Sequence, residues 1–299
     1  MTRRHPIRIA ARSNELARRQ ARWVAQRLTD LGRACTLVEV ATMGDPDASG
    51  TWRGAGVLLT SPQAAVREDR ADLAVRPFDE LPATPADGLQ LAAVPARAAA
   101  HDVLLLRPAA FDPAYGPLPA AAGARIGVNA PHRTSQLRAL RPDLRMAAVH
   151  GDTATRVAAL RAAGTTLDGV LVSAVAVDGL DLDLEELQRV DLDPHAVVSA
   201  PGQGALALEI RRGDRLAELL QELHDERTFQ AVAAERALLA LLPAARQPEL
   251  AAYAVRWPDG FLTLDAWFDG MRAHVRAGSS EDAAMRAYAD LGSPRRSMG

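Results

Sequence analysis

The chain has 299 residues, enough for two or three cores, and its 48% hydrophobic content is that of an ordinary globular protein. No stretch reaches the roughly 18 apolar residues of a membrane span, and a net charge of −2 gives nucleic acid or an acidic lipid surface no electrostatic reason to bind. The single cysteine, Cys35, excludes an internal disulfide and a cysteine-rich metal centre, so no metal site is expected.

Short apolar runs alternate with amphipathic stretches. Residues Met1 to Pro6 lead directly into the first strand with no apolar leader, which predicts a cytoplasmic protein. Strands are expected at 7–11, 36–41, 72–75, 90–94, 103–106, 125–128, 146–149 and 169–172, with helices between them at 14–30, 135–140 and 153–163. Asn14 has the side chain to cap the first helix. This alternation predicts an α/β fold with mostly parallel sheets. Residues 43–56, rich in Gly with Asp45 and Pro46, read as a mobile loop, and 107–124, rich in Pro and Ala, as an irregular connection. The last third changes character. A helix at 227–242, strands at 251–256 and 261–268, and a helix at 281–291 predict a small α+β domain before a disordered tail. No internal repeat is visible.

All 35 basic residues are arginines. No side-chain amine is therefore available for Schiff-base chemistry. Anions have to be met by Arg, His or backbone N–H groups, and the planar guanidinium suits carboxylates.

Six segments carry a resemblance. They are Arg8-Ile9-Ala10-Ala11-Arg12-Ser13-Asn14 with Gln20, then Arg70-Ala71-Asp72-Leu73-Ala74-Val75, and Leu140-Arg141-Pro142-Asp143-Leu144. Pro201-Gly202-Gln203-Gly204-Ala205-Leu206 with Glu209, Ala234-Glu235-Arg236-Ala237 and Ala252-Tyr253-Ala254 complete the set. In order and spacing these resemble the hydroxymethylbilane synthase (porphobilinogen deaminase) family over roughly residues 6–256. The resemblance implies three domains: 1–98 with 199–220, 99–198, and 221–299. The first two would be lobes of the periplasmic-binding-protein type II kind, with hinge crossings near 98 and 199 and ligands held in the interdomain cleft. The third would be the small α+β domain.

The resemblance also implies a site. The family's H-S-x-K-D-x-P reads Arg76-Pro77-Phe78-Asp79-Glu80-Leu81-Pro82 here, so its catalytic aspartate falls on Glu80 and its lysine on Asp79. A carboxylate there would stabilise a cationic intermediate and move protons. The substrate turn falls on Gly127 to Thr134, with Asn129 and Ala130 for serines, His132 for one arginine and Arg133 for the next. His150 again stands for an arginine, Arg156 persists, and a third family arginine falls on Gly179. Asp79, Glu80, His132 and His150 are thus the expected catalytic groups. Arg12, Asn14, Gln20, Asn129, Arg133, Arg156 and Gln203 are the expected substrate contacts. Histidine, largely neutral near pH 7, weakens the cleft for polyanions, and the loop residue expected as lysine is Ala55.

At the family's cofactor cysteine stands Arg246, in Ala244-Ala245-Arg246-Gln247-Pro248. Arginine forms no thioether, so no dipyrromethane cofactor is expected. The reading of the sequence is a cofactor-independent cyclase or lyase of a specialised biosynthetic pathway, acting on a small anionic substrate as a monomer. A working hydroxymethylbilane synthase, with its primer held noncovalently, and a non-catalytic ligand-binding homologue are the alternatives.

Overall fold

The structure is a computed structural model that describes residues 5–40, 61–81 and 86–293. The expected loop 43–56, with Ala55, lies outside the described residues, as do Pro82 and the tail from 294. The chain divides into two compact units. One holds the residues up to Arg97 together with Ala205–Glu226, the other Ala98–Gly204 together with the residues from Arg227 onward.

In the first unit β1 (Ile7–Arg12) is almost wholly buried, as a strand with neighbours on both sides and helices on both faces must be. It leads into α1 (Glu15–Asp30), whose start is fixed by Asn14: its side chain accepts from the Ala17 N–H at 2.9 Å. The helix buries Ala17, Ala21, Val24 and Leu28, a stripe at helical spacing. β2 (Cys35–Val40), α2 (Pro62–Arg67), β3 (Leu73–Pro77) and β4 (Leu89–Ala93) follow.

The second unit begins with β5 (Asp102–Leu106) and β6 (Arg125–Val128), then α3 (Pro131–Leu140), β7 (Arg145–Ala148), α4 (Thr153–Arg161), β8 (Gly169–Ser173), α5 (Ala174–Gly179) and β9 (Gln188–Asp191). The chain then returns to the first unit with β10 (Leu206–Arg211) and α6 (Leu216–Leu220).

The two sheets run β2-β1-β3-β10-β4 and β7-β6-β8-β5-β9. In both, three parallel strands are followed by one antiparallel strand and an edge strand paired to it. The odd strand in each sheet, β10 or β5, is the one entered just after the chain crosses from the other unit. The sequence shows no repeat, yet the topology is used twice.

The last segment contains α7 (Glu226–Leu241), β11 (Ala251–Arg256), β12 (Leu262–Phe268), β13 (Met271–Ala277) and α8 (Ser280–Asp290), with an antiparallel β11-β12-β13 sheet.

Several matching motifs turn out to be structural. Glu235, with no exposed surface, accepts from the Gly202 N–H at 2.6 Å and the Ala254 N–H at 2.7 Å, joining three of the six segments. Glu209 accepts two bonds from Gln63, at 2.7 and 2.9 Å. Gly204 has φ +82°, and a Cβ there would sit 2.5 Å from the Ala99 carbonyl oxygen, so only glycine fits.

Candidate active site

In the first unit the site is built where β1 and β3 end. Phe78, buried, anchors the 3-10 turn Phe78–Glu80 that follows β3, and its N–H donates to the Ala205 carbonyl at 2.9 Å. That leaves Asp79 and Glu80 exposed. Arg12, the last residue of β1, sends Nη1 to both Glu80 carboxylate oxygens at 3.0 Å. Arg76 holds the same turn from behind, Nη2 donating to the Glu80 carbonyl at 3.0 Å. A cation is thus supplied to Glu80 by Arg12. Asn14 has its side-chain oxygen engaged as the α1 cap. Gln20 Oε1, Ser13 Oγ and Arg76 Nε are buried polar atoms without a hydrogen-bond partner. Such groups are costly unless a ligand or water meets them.

In the second unit β6 hands over to α3, so His132 and Arg133 lie in the first helical turn. Arg133 is buried and fully engaged. Its Nε and Nη2 fork onto Asp102 at 2.8 and 2.7 Å, Nη1 donates to Asn129 at 2.7 Å, and Nη2 also reaches Gln203 at 3.1 Å. Gln203 returns an N–H to Asp102 at 2.8 Å and another to the Ala100 carbonyl at 2.7 Å. Three expected substrate contacts, Arg133, Asn129 and Gln203, therefore meet each other around a fully buried carboxylate.

Arg156 differs. It lies in the first turn of α4, 8% exposed, with Nε donating to the carbonyls of Gly151 and Asp152 at 3.1 and 3.2 Å. Among the described residues no carboxylate forms an ion pair with it. Burial, and then the charge of Arg133, bring its pKa down to about 10, so it remains a cation at neutral pH. His150, three residues before the start of α4, is exposed.

His132 is buried, with Nδ1 3.4 Å from the Pro248 carbonyl and Nε2 without a partner. Burial, and then Arg133, push its pKa down to about 4. It is therefore neutral where the expected proton-transfer role would need a readily protonated group.

Arg246 sits in the 3-10 turn Ala244–Glu249, with Nη2 2.7 Å from Glu249 and 3.2 Å from Asp269 and its guanidinium 4.5 Å from the Phe268 ring centre. Cys35 opens β2, half-buried, with its thiol pKa raised by burial. No group of His, Cys, Asp and Glu able to hold a metal occurs among the described residues. No described helix is long and apolar enough to cross a membrane. An open pocket of about 270 Å³ lined by Arg107, Ala110, Gly123 and Asp168 lies at the other end of the second sheet from Asn129 and carries none of these groups.

Sequence reasoning missed Asp102 and Arg76. Asp102 reads as the polar residue before an apolar strand, and only its place opposite α3 gives it Arg133. Arg76 was masked by the motif around it, in which the family has histidine.

Residues 7–218 match the family model described as "Porphobilinogen deaminase, dipyromethane cofactor binding domain". The porphobilinogen deaminase of Micrococcus luteus is 37% identical, covering 92% of this chain and 81% of its own. That of Deinococcus deserti is 33% identical, covering 96% and 92%, and that of Thermus thermophilus is 36% identical, covering 91% and 90%. Among solved structures, the Bordetella pertussis BvgS periplasmic VFT2 domain aligns with a TM-score of 0.42 at 13% identity, covering 77% of this chain and 91% of that one.

These similarities overturn the expectation that no dipyrromethane belongs here. That expectation rested on one side chain, Arg246, whereas the match to the cofactor-binding domain extends over residues 7–218. They also give no support to a cofactor-independent cyclase or lyase.

Proposed function

The chain belongs to the porphobilinogen deaminase family, and from that premise we propose that it is a working deaminase of the hydroxymethylbilane synthase type, acting on porphobilinogen. The observation that carries this reading is Arg156: a buried cation with no carboxylate paired to it among the described residues, placed at a helix start, suits a substrate rich in carboxylates. Desolvating a cation without a partner is costly, and an anionic ligand offsets that cost.

Glu80 is the reacting carboxylate. The aminomethyl group of an aminomethylpyrrole is an ammonium at neutral pH and leaves as ammonia with the C–N electron pair, so the substrate carbon becomes cationic and no proton has to be supplied. A carboxylate beside that centre stabilises the developing charge. Asp79, exposed next to it, adds to the negative potential. His150, exposed and near Arg156 in sequence, is the remaining candidate for proton transfer. His132, held neutral, serves as a hydrogen-bonding group.

The family implies dipyrromethane, and the residues present do not fit a thioether link at the 244–249 turn. The side chain there is an arginine tied to Glu249 and Asp269, and the thiol of Cys35 belongs to a strand of the other unit and is held protonated by burial. We read residues 221–299 as a third domain, because β11, β12 and β13 form a sheet of their own.

The test is turnover of porphobilinogen by the purified protein, followed as bilane and ammonia released. Glu80→Gln is expected to lower kcat, and Arg156→Gln to raise KM. A protein that leaves porphobilinogen unchanged contradicts the reading.

A further inference from the structure

The Arg12–Glu80 contact has a feature that a fixed structural ion pair lacks. Both partners are accessible, with side-chain exposures of 25% and 38%, and one nitrogen, Arg12 Nη1, serves both carboxylate oxygens. Such a pair is weak and easily exchanged, in contrast to a buried bidentate fork. The backbone beneath it does not depend on it. Arg76 holds the Glu80 carbonyl, and the turn closes on itself through Leu81 N–H to the Phe78 carbonyl at 3.1 Å. The Glu80 side chain can therefore leave Arg12 without unravelling the turn. Beside the pair, Ser13 Oγ and Arg76 Nε are buried and without partners, two polar groups on the same two segments that present Arg12 and Glu80.

We propose that Arg12 and Glu80 form an exchange pair: a substrate carboxylate displaces the Glu80 carboxylate from Arg12, and Glu80 becomes available to the cationic reaction centre only in the loaded enzyme. Glu80 is then both the reacting carboxylate and the competitor that sets how strong an incoming anion must be. Arg76 is a positioning residue that keeps the turn in place during the exchange. The extra methylene of glutamate over the family's aspartate matters here because it lengthens the reach toward Arg12. This inference rests on the deaminase reading for the identity of the substrate, though not for the exchange itself.

Propionate is the probe of the exchange, titrated into the full-length protein while the backbone amide signals of Ser13 and Leu81 are followed by NMR. Removing the competing charge in Glu80→Gln is expected to tighten propionate binding at this site about two- to fivefold, the equivalent of an exposed ion pair. Glu80→Asp is expected to fall between the two, and Arg12→Gln to abolish the response. In turnover of porphobilinogen, Glu80→Gln is expected to lower KM together with kcat, a split that a purely structural role does not produce. Propionate binding that is unchanged or weaker in both Glu80 variants overturns the exchange. A propionate response as expected, with no turnover of porphobilinogen by the unaltered protein, sinks the deaminase reading and leaves the exchange standing. Circular dichroism of each variant excludes unfolding as the cause.

Discussion

Each unit sets an arginine and a carboxylate near the C-terminal ends of its parallel strands, and the two pairs differ in kind. In the first, Arg12 meets Glu80 near solvent through one nitrogen. In the second, Arg133 meets Asp102 with side-chain exposures of 7% and 0%, a two-point fork reinforced by Asn129 and Gln203. The first pair is weak enough to open and the second is fixed. Arg156, by contrast, is buried without a paired carboxylate among the described residues, and the charge of Arg133 adds to the effect of burial in lowering its pKa. Retained arginines are therefore not equivalent: one lies in an exposed pair, one in a buried fork, and one is buried without a paired carboxylate among the described residues.

That contrast can be broken most forcefully at Asp102. Asp102→Ala strands the Arg133 guanidinium in the interior, and a loss of about 3–5 kcal/mol is expected in urea unfolding. A change below about 1 kcal/mol means the pair is not buried as described. His132 gives the next largest effect. Its folded pKa of about 4 lies below its ordinary 6.5, so the unfolded chain binds more protons between those values. Stability from this group is complete above pH about 6.5 and falls as pH drops toward about 4, by roughly 3 kcal/mol in all. His132→Gln should flatten that part of the stability profile, measured by urea midpoints from pH 7 to 4.

Arg156 sharpens the contrast in the opposite direction. Replacing a desolvated cation that has no paired carboxylate among the described residues by methionine is expected to raise stability by about 1 kcal/mol, while binding of porphobilinogen is lost. A destabilised Arg156→Met would mean that the guanidinium is held by contacts beyond the two carbonyls of Gly151 and Asp152. The smallest effect belongs to the exposed pair. Glu80→Gln should change the unfolding free energy by less than about 1 kcal/mol, so that its effect on turnover is chemical.

The sequence carried most of the fold because its strands are apolar runs between helical stretches, and every strand read from 7 to 172 lies within a residue or two of an observed one. β9 escaped because Gln188–Asp191 is a polar edge strand without an apolar run. β13 escaped because its inward residues are Ala273, Val275 and Ala277 between outward Arg272, His274 and Arg276, a pattern too weakly apolar to stand out. The short helices α2, α5 and α6 have five or six residues, too few for periodicity to show. At the site, position was legible and partnership was not. The sequence placed Arg12, Glu80, Arg133 and Arg156 in their segments. That Glu80 lies on Arg12, and that Asp102 consumes Arg133, depends on strands far apart in the chain. The cofactor expectation failed for a related reason: one altered side chain at 246 was given more weight than the cofactor-binding region as a whole.

Incubation of the purified protein with porphobilinogen, with bilane release followed over time, tests the central claim most directly. Deaminase function predicts bilane and one ammonia for each porphobilinogen consumed, with the rate strongly reduced in Glu80→Gln. Unconsumed porphobilinogen in the presence of the folded, unaltered protein would contradict it.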